Sequence, residues 1–289
     1  NTSAPGFPYV FGWHDEEFPE TALENDWIVH EPKLSSPYIS TENENLNLRA
    51  TIEPITGIQI NLTGSRVKSD NSSRYYVWDD SLNNGQGGID AYGYQQQGNF
   101  SMSFVSISTA FDKVNKDNDY ESKAFEQFKK NRAIISERLG ERRENKDDDY
   151  NSESGNFSKG YGQTSQQVLI PAFLSAYGEY KTNTVPLGNF PKIPLPNWRI
   201  NFNKLNELEF IKAVAKNVNI SHAYRSTYTM GSFVYNQDYP DPEDPFSFVV
   251  DQQGNFISKF DVNTISINEQ FNPLINFDVT WKNNLTSRF

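Results

Sequence analysis

The 289-residue sequence contains no cysteine and no long apolar run. Without cysteine the chain has no disulfide, no thiolate metal ligand and no cysteine nucleophile. Without about 18 consecutive apolar residues it has no predicted transmembrane helix. Membrane-spanning β-strands stay possible, because their alternating side chains look polar on average.

Basic residues are in the minority, with 26 Lys and Arg against 37 Asp and Glu, and the net charge is −11. Because nucleic-acid binding needs clustered cations, we predict no nucleic-acid partner. Histidine is also scarce: His14, His30 and His222 lie far apart in the sequence, and we assign them no catalytic or metal role. The acidic stretches 147–149 and 238–245 offer oxygen ligands for Ca²⁺, but neither matches an EF-hand, and a solvated loop is the simpler interpretation.

Motifs of the common enzyme classes are missing too: the sequence has no G-x-S-x-G, no P-loop and no G-x-G-x-x-G. We therefore predict that the chain is not an enzyme. We predict no cofactor, and no catalytic, cofactor-binding or metal-binding residue.

What the sequence does contain is a high aromatic content, 14%, and long stretches of alternating apolar and polar residues. The longest is "NVNISHAYRSTYTMGSF" (217–233), where apolar side chains fall on even positions. The alternation holds for thirteen of these seventeen residues, which when extended measure about 43 Å and, tilted near 45°, span about 30 Å, the thickness of a bilayer's hydrocarbon core. We predict that even positions face lipid or an apolar partner and that odd positions face an aqueous lumen.

Two other regions alternate in the same way, and each contains a short turn signal. We predict hairpins of long strands that turn at Pro54–Gly57 and at Asn272–Asn276, both at the same periplasmic rim. Near Phe104 and Val105 the apolar phase changes by one residue, which predicts a β-bulge. A helical spacing of apolar residues predicts a helix over 119–139, ending near Gly140.

These patterns predict an all-β fold: long antiparallel transmembrane β-strands of an outer-membrane barrel, with one helical insert; that the barrel is a large one is implied only by the resemblance described next. Four regions follow from the composition. They are an irregular loop or edge segment (1–40), barrel strands with a long loop at 68–98 (41–111), an insert with helices in the lumen or periplasm (112–196), and barrel strands around a Pro/Asp loop at 236–262 (197–289). We also predict that the chain does not close a barrel alone, because too few strands leave open edges.

Six blocks of the sequence also resemble, in the same order, blocks of the SprA/Sov family. They are "RATIEPITGIQINLTGSR", "FSMSFVSISTAF", "FKKNRAIISERL", "IPLPNWRINF", "NISHAYRSTYTMGSF" and "FNPLINFDVTWKNNLTSRF". The family forms the very large outer-membrane translocon of the Bacteroidetes type IX secretion and gliding-motility system. Its members are many times longer, so the resemblance implies that this chain is an internal barrel segment.

The resemblance implies a protein-conducting barrel in the bacterial outer membrane that passes folded cargo proteins and gliding-motility adhesins. Implied partners are the remaining segments of the same barrel, outer-membrane and periplasmic proteins that close its lateral opening or periplasmic end, the cargo, and the lipid bilayer. Two alternatives stay open: a Bacteroidetes nutrient-uptake barrel, and a surface glycan-binding β-protein. The second rests on an aromatic cluster, Tyr75, Tyr76, Trp78 and Tyr92, which resembles a carbohydrate-stacking platform.

Overall fold

The structure is a computed structural model and describes residues 7, 10, 11, 18–25, 27, 36–85, 87–114, 116, 120–143 and 156–289. His14, His30 and the acidic stretch 147–149 lie outside the described residues, as does most of the predicted irregular segment 1–40. The chain forms two compact units. The first comprises Asn1–Glu42 and Asp70–Gly98, and the second comprises Asn43–Ser69 and Asn99–Phe289.

The described residues form nine strands and three helices longer than one turn. The strands are β1 (Tyr38–Ile55), β2 (Ile58–Asp79), β3 (Gly88–Ser103), β4 (Asn197–Phe202), β5 (Ala215–Tyr235), β6 (Phe260–Val262), β7 (Ile265–Phe271), β8 (Asn276–Trp281) and β9 (Thr286–Arg288). The helices are α1 (Phe18–Glu24), α2 (Lys123–Glu141) and α3 (Gln166–Tyr177), and single helical turns occur at Leu205–Glu207 and Glu209–Lys212. The predicted β-rich, antiparallel architecture is confirmed.

The predicted loop at 68–98 is wrong, because β2 continues to Asp79 and β3 already begins at Gly88. Within the first unit, Gln96 donates a hydrogen bond to Asp70 (2.7 Å), and the rings of Tyr75 and Tyr92 stack at 5.4 Å. Most left-handed backbone angles of this region occur in the turn between the strands, at Asn83, Asn84, Gly85 and Gly87, and one occurs within β3, at Gly93.

In the second unit, β3 and β4 together form one row of the sheet, interrupted by the helical insert. The chain leaves the sheet at Ser103 and returns at Leu195, whose N–H donates to Ser103 O (3.1 Å) while Ser103 Oγ donates to Leu195 O (2.7 Å). After this point β4 pairs with β2 on one side and with β5 on the other. The bulge predicted near Phe104 is therefore wrong, and the change of phase marks the exit of the chain from the sheet.

On the other edge of β5, the segments β6, β7 and β8 also follow one another along a single row. Phe271 of β7 pairs with Tyr224, and Asn276 of β8 pairs with Ser221, both antiparallel. The chain between them continues in one direction, since Asn272 N–H donates to Ala223 O (3.0 Å) and Ala223 N–H donates to Pro273 O (2.9 Å). The hairpin predicted at Asn272–Asn276 is thus an interruption in one row, whereas the hairpin at Pro54–Gly57 is confirmed. The reversal between paired strands occurs later, between β8 and β9.

The Pro/Asp loop is shorter than predicted, because Phe260–Val262 forms β6 and pairs with the end of β5.

The predicted helix over 119–139 is confirmed as α2. This helix begins after Ser122, whose Oγ accepts from Phe125 N–H (3.3 Å). It does not stop at Gly140, because the helix extends to Glu141 and Arg142 N–H still donates to Arg138 O. None of the described helices is long and apolar enough to cross a membrane.

The core of the second unit lies between the sheet and the insert. Its buried side chains include Phe104, which directly follows β3, and residues of β3, β5 and both insert helices: Phe100, Met102, Tyr228, Met230, Phe233, Ile135, Leu139, Val168, Ile170 and Leu174. A buried hydrogen bond from Asn131 Nδ2 to Ser175 Oγ (2.8 Å) joins α2 to α3. The insert is therefore packed on the sheet and belongs to its hydrophobic core.

Two glycines with left-handed backbone angles provide a matched test of how tightly the insert contacts the Pro/Asp loop. A Cβ on Gly160 (φ +76°) would lie 2.0 Å from the Phe256 ring, whereas one on Gly254 (φ +78°) meets no atom within 4 Å. We expect Gly254→Ala to lower the free energy of unfolding by about 1–2 kcal/mol, the cost of the backbone conformation alone. Gly160→Ala should cost about 1–3 kcal/mol more through overpacking. Denaturant titrations of both variants measure the difference, and equal losses would contradict this contact.

Candidate functional site

The sheet of the second unit has two chemically different faces. Residues paired in register share a face, so Leu62, Trp198 and Tyr224 lie on one face while Asn61 and Arg199 lie on the other. The first face is apolar, with the side chains Ile58, Ile60, Leu62, Trp198, Ile200, Phe202, Ile220, Tyr224, Tyr228, Met230, Ile265, Ile267, Phe271, Phe277 and Val279. The second is polar, with Gln59, Asn61, Thr63, Arg199, Asn201, Asn219, Ser221, Ala223, Arg225, Thr227 and Thr229.

Strand β1 follows the same division. The Thr51 hydroxyl donates to Asn61 Oδ1 (2.9 Å), so the odd positions of β1 share the polar face. Leu48 Cβ lies 3.6 Å from the position that a Cβ on Gly64 would occupy, so the even positions share the apolar face. The even residues are Leu46, Leu48, Ala50 and Ile52.

The insert covers the apolar face only along part of its length. Tyr228 and Met230 are fully buried against the insert, and the Phe104 ring lies 6.1 Å from that of Tyr228. The cover reaches β2 at Gly64, where an added Cβ would lie 3.5 Å from Pro194 Cγ.

Beyond the cover, toward the turn at Thr56, the apolar side chains are exposed. Leu48 is 49% exposed, Ile52 is 46% exposed and Phe277 is 40% exposed. We call this part of the apolar face, from the turn at Thr56 to Gly64 of β2 and the same level of the neighbouring strands, the uncovered band. The eight residue steps between these two positions measure about 26 Å.

The prediction for residues 217–233 can now be compared with the structure. On β5 the even residues Tyr228 and Met230 do meet an apolar partner, which is the insert of the same chain, and Tyr224 is buried against Trp198. Ile220 lies in the uncovered band, and Arg225 is exposed on the polar face, as predicted. After Gly231 burial moves to odd positions, because Phe233 and Tyr235 are the buried residues there.

A polar network marks the border between the covered and uncovered parts. Tyr224 OH donates to Glu269 Oε1 (2.5 Å) and accepts from Ser106 N–H (2.8 Å). Ser106 Oγ also donates to Glu269 Oε1 (2.9 Å). The Trp198 ring stacks on Tyr224 at 4.3 Å. Because the buried Tyr224 and Ser106 and the half-buried Glu269 satisfy one another's hydrogen bonds, the network fixes the point at which the chain leaves the sheet.

Arg143, at the end of α2, lies in an aromatic cage. Its guanidinium lies 3.7 Å from the centroid of the Phe256 ring and 4.6 Å from that of Phe248, and it donates to Ser247 O. Burial raises the pKa of Tyr161, and burial together with Asp244 raises the pKa of Tyr239 to about 12. Both phenols therefore stay neutral at physiological pH, and the cage ties the Pro/Asp loop to the insert.

The structure places the remaining candidate residues, His222 and the acidic stretch 238–245, in separate environments. His222 lies on the apolar face, where its Nδ1 hydrogen-bonds Leu274 O, which gives the polar ring a partner. In the acidic stretch 238–245, Asp241 Oδ1 accepts from Glu243 N–H within a turn. Among the described residues no group of three or more His, Asp or Glu side chains is placed to hold a metal ion.

The four rings of the aromatic cluster do not share one surface. Tyr75 stacks on Tyr92, whereas Tyr76, the next residue along β2, is buried and packs edge-on against Tyr38. Successive side chains on a strand point to opposite faces, so the predicted platform is divided between the two faces of the sheet.

Two features of the site went unrecognised in the sequence. Arg143 and Arg66 are both buried among aromatic rings, and both sit in segments that read as polar. Only the aromatic residues spaced along 246–260 gave a signal for the Arg143 cage. Comparison with known protein families finds no match to this chain, and comparison with curated proteins finds no relative.

Proposed function

We propose that this chain is a wall segment of a protein-conducting β-barrel in the bacterial outer membrane. The observation that carries the proposal is the uncovered band, which has an exposed apolar side and a polar side on the same strands. Lipid-exposed barrel strands have this division, because lipid contacts one face and water in the lumen contacts the other.

The dimensions of the band support this assignment. Its length of about 26 Å, tilted near 40°, projects to about 20 Å, and the outward apolar belt of such barrels is roughly 25 Å tall. Large aromatic side chains flank the belt in such barrels. Here Trp198 and Tyr224 stack at the border with the insert, and Trp281 lies at the opposite end, across from Ala215.

The length of β5 fits the same proposal. It has 21 residues, whereas a membrane strand needs about 9–11. We infer that the half from Ala215 to about Tyr224 crosses the bilayer and that the remainder extends beyond it. The insert packs on the apolar face, so it would lie outside the lumen, next to the membrane surface. A position inside the lumen, one of the two predicted from the sequence, does not fit this orientation. The insert lies at the end of the band opposite the Pro54–Gly57 turn. A periplasmic insert, the other predicted position, would therefore place that turn at the extracellular rim and not at the predicted periplasmic rim.

The edges of the sheet support a segment of a larger wall. In the strand order of the described residues, β1 is at one end and β9 at the other. Unpaired backbone groups facing lipid cost several kcal/mol each, so both edges need further strands. We propose that these strands are the remaining segments of the same barrel.

The SprA/Sov resemblance supports the more specific function. Its six blocks coincide with the β1–β2 hairpin, the end of β3 and the residues after it, α2, β4, β5 and the segment from the end of β7 through β9. On that basis we propose type IX secretion of folded cargo, including gliding adhesins, with partner proteins that close the lateral opening or the periplasmic end. In this proposal the chain conducts proteins and has no chemistry or cofactor of its own.

Single cysteines test the membrane assignment cleanly, because the chain contains no native cysteine. Ile60→Cys and Gln59→Cys place a fluorescent label on opposite faces of β2 at nearly the same depth. In membrane vesicles that contain the assembled protein, a spin-labelled fatty acid should quench the label at position 60 at least about threefold more than at 59, and aqueous iodide should do the reverse. Equal quenching by the fatty acid at both positions would exclude the barrel wall and would favour the surface glycan-binding alternative.

A further inference from the structure

A basic cleft lies where the insert meets the uncovered band. It has a volume of ≈ 760 Å³ and is bounded by β1, β2 and the segment from Gly188 to Lys192. Three cations line it, Arg66, Lys68 and Lys192, together with one carboxylate, Glu44. In a chain with a net charge of −11, this local excess of positive charge stands out as a feature that suits an anion.

The cleft is held in shape by its own contacts. Arg66, only 8% exposed, donates from Nε to Pro191 O (3.0 Å) and from Nη1 to Glu44 Oε2 (2.6 Å), and its guanidinium lies 5.3 Å from the centroid of the Phe100 ring. Lys68 Nζ lies 5.3 Å from the centroid of the Phe190 ring and 3.9 Å from Glu44 Oε1. Arg66 and Lys68 are therefore positioned before any ligand arrives, which reduces the entropy cost of binding.

The position of the cleft indicates which anion it fits. Leu46 forms part of its lining and also begins the exposed apolar row that continues through Leu48 and Ile52. A ligand with an anionic head and an apolar chain would place the head among the cations and the chain along this row. A free anion would use only the first of these two surfaces.

We propose that this cleft binds the phosphate group of a membrane lipid whose acyl chains lie along the uncovered band. The inference rests on the proposed membrane location and deepens it, because it places the headgroup level of one leaflet at the edge of the insert. Cationic side chains at that level attract anionic lipid headgroups.

Native mass spectrometry of the detergent-solubilised protein tests the proposal with three probes. They are phosphatidylglycerol, diacylglycerol of the same acyl chains, and inorganic phosphate. We expect phosphatidylglycerol to be retained at least about tenfold more tightly than diacylglycerol, and phosphate to compete only weakly. Equal retention of the two lipids would overturn the proposal. Tight binding of inorganic phosphate without lipid retention would show a free-anion site and would overturn it too.

Charge variants locate the site. Lys68→Gln combined with Lys192→Gln should weaken phosphatidylglycerol retention by about tenfold or more, since each cation near a headgroup contributes about one kcal/mol, or about fivefold. The matched control, Lys129→Gln combined with Lys130→Gln on α2, removes the same charge away from the cleft and should leave retention unchanged. Glu44→Gln should change retention in the opposite direction, so the test does not depend on variants that lose binding through misfolding.

The outcome is separable from that of the proposed function. If fatty-acid quenching at position 60 occurs but phosphatidylglycerol and diacylglycerol are retained equally, the wall assignment stands and the lipid site is wrong. If that quenching fails, the wall assignment is wrong whatever the retention experiment gives.

Discussion

Replacing Ile52 by arginine should reduce the amount of membrane-assembled protein at least tenfold, whereas replacing its neighbour Thr51 should have little effect. Arginine on a lipid-facing position near the middle of the bilayer costs about 2–4 kcal/mol, or roughly 30-fold to several hundred-fold in the assembly equilibrium. Ile52 lies in the uncovered band and Thr51 on the polar face. Quantifying the protease-resistant, membrane-embedded form of each variant measures the difference.

This test discriminates because Ile52 is 46% exposed in the chain itself. In a soluble sheet with that face in water, Ile52→Arg would change the free energy of unfolding by only about 0.5 kcal/mol, as for other surface substitutions. A large loss of membrane-assembled protein on substitution of this exposed residue therefore indicates that an apolar surface outside the chain contacts Ile52. Equal assembly of Ile52→Arg and Thr51→Arg would show that Ile52 does not face lipid.

Replacing Phe104 by alanine should lower the free energy of unfolding by about 3–5 kcal/mol, the usual cost of removing a buried aromatic ring. Phe104 is 0% exposed, and its ring lies 5.7 Å from that of Tyr180 in the insert and 6.1 Å from that of Tyr228 on the sheet. The side chain thus joins the insert to the covered part of the apolar face. Denaturant titration, with hydrogen exchange of α2 and α3, measures the loss.

Phe210 provides the control, because it is 73% exposed in a single helical turn outside the core. Phe210→Ala should stay within about 0.5 kcal/mol of the wild type. If Phe104→Ala were as mild as Phe210→Ala, the insert would not be anchored at this position. The division between covered and uncovered parts of the sheet would then be wrong.

Several elements of the fold were predictable because their signals are local. Alternation along Ile58, Ile60 and Leu62 predicts both the strand and its apolar face, and the structure confirms the face through the pairing with β4. The helical spacing of Phe128, Ile135 and Leu139 predicts α2 in the same way. Side-chain periodicity follows from backbone geometry, so these assignments need no knowledge of the neighbours.

The wrong predictions concern which segments of the chain lie next to one another in the sheet. The apolar phase around "FNPLIN" is the same whether the chain folds back on itself or continues along β5, so the pattern could not tell a hairpin from an interrupted row. For residues 68–98 the long loop was predicted from glycine and asparagine, although the aromatic residues on both sides of the turn belong to strands. Near Phe104 a change of phase indicated a bulge, although the chain leaves the sheet there.

By itself, then, the sequence determined which side chains share a face, because alternation at a period of two is a property of one extended strand. It determined in this way that Arg225 and Ile220 lie on opposite sides of β5. Only the tertiary structure decided that the insert returns to the sheet beside Ser103 and buries Tyr228 and Met230 while leaving Leu48 and Ile52 exposed. The reason is physical: which part of an apolar face is covered depends on contacts between residues far apart in the chain, and periodicity carries no information about them.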